Sequence, residues 1–385
     1  MSPWESKLDR WVDVDDLSIG FRYRKEVPND DHAYFNNGQQ KSLVDGRFKF
    51  DSGGKYAVNF HVSSGRTFNW AYADEIGDDF SKLSSEPGAI TALTPAQLQA
   101  VIAALGADPN AAKAEVSRGW EMSFRQLYFS AAPIKQLAFE YGSLSIDKGV
   151  STEATTYDDD GYITGERVRV FDPKHLYLDQ IAFTNAYEGD INTPSFFERG
   201  ERLKEAGNYR QVLAAKNFGK RFQASADYTF DKGTHTTHEA TLAKLPEVKA
   251  VDSVRLELYQ RLNDTLLEGQ TFYAHQGFAV TGTKTFHKKF QLEGGYAHID
   301  TDYGVLVGDR VDAAVGFSMN GDSFLTGSRA FTRANWKVAP GVSLSGYYTH
   351  TTGSYAPSVL LINKEGLNGG MTIDLKKLLT KARVM

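Results

Sequence analysis

The sequence predicts an all-β fold: a transmembrane antiparallel up-and-down β-barrel of about sixteen strands, within a range of 14–18. Three observations predict it. Apolar and polar residues alternate along many segments, short turns alternate with long polar loops, and each clear strand has about 9–11 residues, the length a tilted strand needs to cross a bilayer. Strands of soluble β-proteins are shorter, typically about 5–6 residues.

The clearest unit is a hairpin at residues 41–63, around the turn Asp51-Ser52-Gly53-Gly54. Successive side chains of a strand point to opposite faces, so each arm has one apolar and one polar face. We expect the apolar row to face lipid and the polar row to face water in the lumen. The apolar row is Val44, Phe48, Phe50, Tyr56, Val58, Phe60 and Val62; the polar row is Asp45, Arg47, Lys49, Asn59 and His61.

The same period of two recurs along the chain. It is clear in residues 17–24, 137–143, 222–230, 254–261, 290–297, 329–338, 342–349 and 371–376. It is less clear in residues 121–131, 176–186, 209–217 and 236–245, where the turns beside each segment place the strand.

Connections alternate between short turns and long polar loops. Seven short turns, at residues 51–55, 131–135, 172–175, 217–220, 246–249, 287–289 and 339–341, join fourteen strands in pairs. One further strand at each end gives sixteen, with both termini on the short-turn side. Residues 311–319 could form another strand and raise the count to eighteen. This rhythm is typical of outer-membrane barrels, with short periplasmic turns and long extracellular loops.

Composition agrees with a barrel that has a polar interior. The 385 residues include no Cys, which excludes disulfides and thiolate metal sites, and the net charge of -5 does not indicate nucleic acid as a partner. The sequence contains no run of 18 apolar residues, so no transmembrane helix is predicted. The beginning Met-Ser-Pro-Trp is not a signal peptide, so the chain is either cytoplasmic or a mature form whose leader is replaced by Met. The barrel interpretation requires the second alternative.

Residues 1–385 are interpreted as a single domain, because no linker or low-complexity tract divides them. Two loop segments are predicted to be helical. One begins at Thr94-Pro95 and ends at Gly106, and a weaker one runs from Thr193-Pro194 to Ala206. Each helix can lie on the rim or fold into the lumen.

The chain resembles the porin-like outer-membrane β-barrels of diderm bacteria. The resemblance covers residues 17–378 and rests on strand length, alternation and the rhythm of turns and loops. Stretches such as Arg125-Gln126-Leu127-Tyr128-Phe129 and Asn335-Trp336-Lys337-Val338-Ala339-Pro340-Gly341-Val342 are also porin-like. Many such barrels end in an aromatic residue, whereas this chain continues as Lys381-Ala382-Arg383-Val384-Met385. This departure implies either that the usual assembly signal is lacking or that the chain has a periplasmic extension.

Charges on the inner face are the candidate functional residues of a channel. Opposed rows of wall cations and loop acids would set a transverse field that orients solutes. The alternative is that inward charges pair with one another in a filled lumen. The predicted pore-lining residues are Arg22, Arg24, Asp45, Arg47, Lys49, Asn59, His61, Arg167, Arg169, Arg255, Glu257, Arg261, Arg329, Arg333 and Lys337.

Loop 66–119 is the candidate constriction, because it is the longest and contains both acids and a predicted helix. Its candidate constriction residues are Asp74, Glu75, Asp78 and Asp79. The loop could equally form a plug, an external lid or a protein-contact surface.

No metal, cofactor or catalytic site is predicted. Asp158-Asp159-Asp160-Gly161 lacks the spaced ligands of a calcium loop and reads as an acidic loop tip. His235-Thr236-Thr237-His238-Glu239 is not the His-Glu-x-x-His motif and lies in a strand-like segment. His61, His298 and His350 have no local partners for a triad.

The predicted function is passive diffusion of small hydrophilic, charged solutes through a bacterial outer membrane. The expected partners are these solutes and the lipid of a lipopolysaccharide-containing membrane, with the chain a monomer or a homo-trimer. Two alternatives remain: a barrel scaffold that engages a partner protein through its lumen or loops, and an outer-membrane hydrolase.

Overall fold

Sixteen antiparallel strands close into a barrel in the computed structural model. The structure describes residues 11–28, 35–51, 53–65, 123–152, 163–173, 176–188, 207–231, 234–262, 273–302, 317–319, 322–324, 327–356 and 360–382. The first strand pairs with the last, so the sheet has no free edge.

The strands are numbered in chain order. They are β1 Val12–Pro28, β2 Phe35–Lys49, β3 Tyr56–Gly65, β4 Ser123–Ile134, β5 Leu137–Leu144, β6 Ile163–Phe171, β7 Gln180–Glu188, β8 Tyr209–Phe218, β9 Phe222–Asp231, β10 Thr234–Lys244, β11 Ser253–Arg261, β12 Tyr273–Phe286, β13 Phe290–Asp302, β14 Phe317–Met319, β15 Asp322–Phe324, β16 Gly327–Ala339, β17 Val342–Ala356 and β18 Leu360–Asp374.

The predicted count of sixteen strands is confirmed, and the option of eighteen is wrong. Strand β13 pairs directly with β16, so nothing is inserted into the wall between them. Part of the segment proposed as an extra strand forms β14, which pairs only with β15 in a separate two-stranded sheet. Each of these strands has three residues, too few to cross a membrane.

The hairpin of β2 and β3 has the predicted two faces. Arg47 lies directly opposite Asn59, and Phe48 lies opposite Val58. Phe48 is 49% exposed on the outer face, where its ring centroid is 5.1 Å from that of Phe60. Ala57, on the other face, is 1% exposed. Large apolar side chains therefore cover the outside of the barrel, as in transmembrane barrels.

The segments with unclear alternation are confirmed as strands β4, β7, β8 and β10. Their inward faces explain the mixed pattern. Tyr209 and Leu213 on β8 and Ala240 on β10 are each 1% exposed, so apolar residues occupy the inner face beside polar ones. A strict alternation of polar and apolar residues is therefore lost in these strands.

A terminal helix, α1 Leu375–Ala382, was not predicted from the pattern. Strand pairing ends at Asp374, so the expected strand continuation through Lys376 is wrong. Asp374 Oδ1 accepts a hydrogen bond from the backbone N–H of Lys377 at 2.8 Å, as an N-cap residue does. None of the helices among the described residues could span a membrane by its length and apolarity. The predicted loop helices, at residues 94–106 and 193–206, lie outside the described residues.

Two carboxylates at the short-turn rim join neighbouring strands in the same way. Asp179 precedes β7 and accepts hydrogen bonds from Lys216 Nζ at 2.7 Å and Asn217 N at 2.8 Å on β8. Asp252 precedes β11 and accepts from Lys284 Nζ and Thr285 N on β12, both at 2.7 Å. The hydrogen bonds from Lys216 and Asn217 lower the pKa of Asp179 to about 2. The bond from Lys284 likewise lowers the pKa of Asp252.

The wall has unequal height on the long-loop side. Strands β5, β6 and β7 have 8, 9 and 9 residues, whereas β17 and β18 have 15 each. All of these strands reach the short-turn rim, so the difference in their length lies at the opposite, long-loop mouth of the barrel. The low part of the wall is where the next segment enters the barrel.

Candidate functional site

Residues 145–152 leave the top of β5 and cross the inner wall to β11. We call them the inner segment. Its carbonyl oxygen at Ser145 accepts a hydrogen bond from Arg167 on β6 at 2.5 Å, and its far end at Thr152 bonds to Glu257 on β11. Eight residues therefore run across the inside faces of β6 to β11.

The near end of the inner segment is held by an ion-pair network on β5 and β6. Arg167 Nη1 lies 3.2 Å from Glu140 Oε2, and Arg167 Nε donates to Thr184 Oγ1 on β7 at 2.9 Å. Arg169 pairs with the same Glu140 at 3.4 Å and donates to Asp147 of the inner segment. Two arginines on β6 thus join the wall to the segment, Arg167 through the Ser145 carbonyl and Arg169 through the Asp147 carboxylate, and Glu140 pairs with both arginines.

The far end is held by Glu257, which is fully buried. Its Oε2 accepts a hydrogen bond from the Ser151 hydroxyl at 2.6 Å, and its Oε1 accepts from Thr152 N at 2.9 Å and Thr152 Oγ1 at 3.0 Å. Arg255 Nη1 donates to Thr152 Oγ1 at 2.6 Å. A buried carboxylate with three donors is a strong, geometrically defined anchor.

The middle of the inner segment lies close to β8 and β9. Gln211 Nε2 donates to the carbonyl oxygen of Asp147 at 2.9 Å, and Val150 N donates to Ser225 Oγ at 2.8 Å. Gly149 has a φ of 58°, and a Cβ there would come within 2.6 Å of Ser225 Cβ. Only glycine permits this close approach of the segment to the wall.

Arg167 and Glu257 were predicted to line the pore, and here the expectation needs correction. Arg167 is 2% exposed and Glu257 is 0% exposed, so neither presents its charge to an open lumen. Both hold the inner segment against the wall. The alternation of side chains along a strand predicts which face a residue occupies, but it does not predict what covers that face.

Arg47, Lys49 and Arg333, three further inward cations, lie beside carboxylates on the same wall. Asp13 lies 2.8 Å from Arg47 Nη2 and 2.9 Å from Lys49 Nζ. Arg333 Nη1 lies 3.9 Å from Glu293 Oε1 on the adjacent strand. On this part of the wall the two signs alternate, as in the alternative in which inward charges pair with one another. The opposed loop acids lie outside the described residues, so the transverse field stays a prediction. Lys337 lies at the short-turn rim, exposed and directly opposite Ser343.

Two inward histidines sit beside carboxylates. His61 Nδ1 lies 2.7 Å from Asp45 Oδ1, both of which were predicted on the polar face. His238 Nδ1 lies 3.1 Å from Asp227 Oδ1, and its ring centroid lies 5.2 Å from that of Tyr259. Asn59 Nδ2 donates to Ser130 Oγ at 2.8 Å on β4. These contacts stabilise neighbouring strands through the inner face.

An aromatic ring lies against the wall on the side opposite β6. Strand β16 is eight strands from β6 in either direction around the barrel. Its residue Phe331 is 4% exposed, and Phe331 Cζ would lie only 2.7 Å from a Cβ placed on Gly295 of β13. The absence of a side chain at Gly295 therefore lets the ring lie flat on the inner face.

Several predicted site residues cannot be evaluated by contacts. Arg22, Arg24, Arg261 and Arg329 lie in strands β1, β11 and β16, and their side chains fall outside the described part of the structure. Asp74, Glu75, Asp78, Asp79 and the rest of loop 66–119 lie outside the described residues, as do Asp158, Asp159 and Asp160. Within the described ranges, no group of three His, Asp or Glu side chains is placed to hold a metal ion.

The sequence predictions missed Glu140, Asp147, Gln211, Asp227 and Glu293. Three of these, Glu140, Asp227 and Glu293, lie on the polar face of a strand, so their pairing with cations on the next strand could have been inferred from parity. The position of Asp147 depends on the path of the inner segment. No local signal in the sequence predicts that path.

Comparisons with known proteins support the fold. No protein-family model matches the chain, and no curated protein matches it in sequence. A mutant of the Rhodopseudomonas blastica porin is similar in structure with a TM-score of 0.50 and 8% sequence identity, over 94% of this chain and 99% of that chain. OccK8 (OprE) of Pseudomonas aeruginosa has a TM-score of 0.49 and 10% identity, over 93% and 97% of the two chains. The similarity to the Rhodopseudomonas blastica porin, together with the closed sixteen-stranded barrel, confirms the expected resemblance to porin-like barrels at the level of the fold.

Proposed function

We propose that this chain is a passive channel for small hydrophilic solutes in the outer membrane of a diderm bacterium. The observation that carries the proposal is the inner segment, a polar strip of chain held across the inner wall of a sixteen-stranded barrel. Barrels of this size leave an aqueous interior unless something fills it. A segment anchored on the wall narrows such an interior and adds polar groups to it.

The charges around the inner segment suit hydrophilic solutes. Glu140, Arg169 and Asp147 form one cluster, with side chains 13–19% exposed, so water and solutes reach its edge. A solute that loses part of its hydration shell in the narrow region can replace it with hydrogen bonds to such groups. In the proposed channel, the solute's own concentration gradient drives its passage.

The preference for charged solutes stays a prediction. On the described wall Arg47, Arg167 and Arg333 lie beside carboxylates, which supports weak selection by charge there. Strong selection would have to come from other charges, such as the loop acids Asp74, Glu75, Asp78 and Asp79. Reversal potentials measured across a salt gradient would separate these two cases.

We also propose that residues 1–385 form one domain.

A further constriction of the lumen by loop 66–119 is a separate proposal. Removing this loop from the full chain and joining its ends with a short Gly-Ser linker tests the role of the loop. A large rise in single-channel conductance would support a loop inside the lumen. An unchanged conductance would assign the narrowing to the inner segment alone.

Conductance of the refolded, reconstituted chain tests the channel itself. We expect stable open steps in a planar bilayer and entry of small sugars and amino acids into liposomes that contain the protein. Heat-modifiable migration on a gel shows whether the barrel is folded in the same sample. A folded barrel with no open steps and no solute entry across a range of salts would contradict the proposal. Capture of a partner protein would then favour the scaffold, and turnover of a lipid ester the hydrolase.

A further inference from the structure

Glu239 lies on the outer face of the barrel, in the middle of β10 Thr234–Lys244. It is directly opposite Ala226 on β9 and Leu258 on β11, and directly opposite residues in a sheet share a face. Leu258 is 43% exposed, whereas the neighbours of Glu239 along its own strand, His238 and Ala240, are 6% and 1% exposed on the inner face. The Glu239 carboxylate therefore points away from the lumen, within the apolar belt.

The belt is a poor environment for this carboxylate. Glu239 is exposed and has no hydrogen bond or ion pair to any residue that the structure describes. Acyl chains offer no hydrogen-bond donors, and a charge on the lipid face of a barrel destabilises it most at the middle of the bilayer. Lipid headgroups that could pair with the carboxylate lie at the two surfaces and not at this depth.

The surroundings of Glu239 also differ from the rest of the belt. Thr237 and Thr241 share its face on β10, and Ala226 beside them is small. A recess of about 430 Å³ opens next to the carboxylate, with Gln260, Gln276 and His298 among its lining residues. Small and polar side chains around a recess let another protein wall approach closely and offer it hydrogen-bonding groups.

The same side of the barrel carries a complementary charge. Arg210 on β8 is exposed on the outer face, directly opposite Phe230, and its Cζ lies 5.8 Å from the centre of that ring. Arg210 is eight residues from the short-turn end of β8, and Glu239 is five residues from that end of β10. At about 3.4 Å per residue and a tilt of about 45°, the two residues differ in height by about 7 Å. Extended arginine and glutamate side chains can span that difference.

We infer that this face is the contact with a second copy of the chain, with Arg210 of one copy reaching Glu239 of the next. We call a set of five outer-face residues centred on β10 the β10 strip: Arg210 on β8, Ala226 on β9, and Thr237, Glu239 and Thr241 on β10. Copies inserted in the same direction meet side by side at equal depth, which matches the similar heights of the two charges. The inference rests on the proposed membrane location, and not on the ability of the barrel to conduct.

Cross-linking in the membrane tests the contact directly, because the chain contains no cysteine that could give a background. The Thr241→Cys variant places a thiol on the strip. The Leu344→Cys variant is the matched control, on the outer face of β17 where Leu344 is 38% exposed. After mild oxidation in membranes, we expect at least tenfold more covalent dimer from Thr241→Cys than from Leu344→Cys. Equal yields would indicate random collision and would overturn the inference.

The charges are tested separately by the mass of the purified particle. In mild detergent, measured by light scattering or native mass spectrometry, we expect an oligomer for the unchanged chain. We expect monomers for Glu239→Arg and for Arg210→Glu, and an oligomer again when both changes are combined. Glu166→Gln is the control, because Glu166 is also on the outside but accepts a hydrogen bond from Asn185. Heat-modifiable migration identifies any variant that fails to fold. If a charge reversal fails to fold, cross-linking of Thr237→Cys in the otherwise unchanged chain takes its place as a test of the contact.

A monomer for the unchanged chain both in membranes and in detergent would overturn the inference. So would an oligomer that survives both single charge reversals. Conductance is recorded on the same samples. A conducting monomer would leave the channel proposal standing, and a non-conducting oligomer would contradict the channel while leaving this contact intact.

Discussion

The backbone N–H and the hydroxyl of Thr152 both donate to Glu257 Oε1, at 2.9 and 3.0 Å, and so join two residues 105 positions apart. This contact keeps the far end of the inner segment on β11. Glu257 is completely buried, so its hydrogen bonds are not replaced easily by water. The width of the narrow region should therefore depend on this one carboxylate.

Replacing Glu257 by Ala should release the inner segment. The change removes the acceptor of three hydrogen bonds, and a hydrogen bond to a charged group contributes about 1.5–3 kcal/mol. We expect a higher single-channel conductance with more noise in the open state, measured in a planar bilayer. Glu293→Ala is the control, since Glu293 is also an inward acid but does not touch the segment. The same conductance for Glu257→Ala and the unchanged chain would show that the segment does not limit flow.

The rim carboxylate Asp179 should make stability depend on pH. Its pKa is lowered from 3.8 to about 2 by the hydrogen bonds from Lys216 and Asn217, so the folded state favours the ionised form. Its contribution is fully present above the ordinary pKa and is lost as the pH falls through about 2. We expect Asp179→Asn to lower the thermal midpoint at neutral pH, with the difference from the unchanged chain vanishing near pH 2.

Asp172→Asn provides the control for the Asp179 measurement. Asp172 lies on the same turn between β6 and β7, and its φ of 47° is one that asparagine also adopts readily. The Asp172 side chain is exposed, so this change should alter the thermal midpoint little at neutral pH. A pH-independent difference for Asp179→Asn would mean that packing, and not charge, explains its effect.

Phe60→Arg should impair assembly. Phe60 lies on the outer face beside Phe48, and an arginine facing lipid destabilises a barrel by about 2–4 kcal/mol at the bilayer midplane. The folded fraction in lipid vesicles, read from heat-modifiable migration, should fall. Asn59→Arg puts the same residue one position away on the inner face and should fold normally. If Asn59→Arg were the variant that failed, the two faces of this hairpin would be reversed.

Arg47→Glu should shift ion selection while the barrel still folds. Arg47 is 43% exposed on the inner face and pairs with Asp13, so the new carboxylate leaves Asp13 with Lys49 alone. The reversal potential across a potassium chloride gradient should move toward cation selectivity. Arg221→Glu makes the same change on an exposed short turn, at a side chain 65% exposed, and should leave the reversal potential where it was.

Gly295→Ala should disturb the ring of Phe331. A Cβ at Gly295 would overlap the ring, and overpacking of this kind costs about 1–3 kcal/mol. We expect a lower thermal midpoint, with recovery in the double variant Gly295→Ala, Phe331→Leu. Gly294→Ala is the control, because a Cβ there meets only the Phe331 carbonyl oxygen, at 3.7 Å. Equal effects of the two alanines would mean that strand propensity, and not the ring, is responsible.

The barrel could be predicted because its signal is local and repeated. Each strand in the hairpin of Phe48 and Phe60 has the period of two that a wall between lipid and water requires. The turns then determine the count of strands without any knowledge of contacts. The terminal helix could not be predicted from the alternation, because Leu375 and Lys376 continue the period of two by chance beyond the Asp374 cap.

The site was less predictable because its key contacts are distant in the chain. The inward face of Arg167 follows from parity, but its burial depends on Ser145 and Glu140, which reach it only after folding. Nothing in residues 145–152 marks them as a segment that crosses the wall. The outward carboxylate of Glu239 was visible in the sequence, yet the strand's unclear alternation concealed which face it occupied.

Because the strands differ in length around the barrel, the rim on the long-loop side is higher on one side than on the other. Strand β18 has seven residues more than β5, which corresponds to roughly 24 Å along the strand and roughly 17 Å of height at a tilt of about 45°. A solute arriving over the low lip enters without passing the tall side. The low lip at β5–β7 adjoins β8–β10 in the barrel, so an assembly joined through β8–β10 would bring the low lips of neighbouring copies close together.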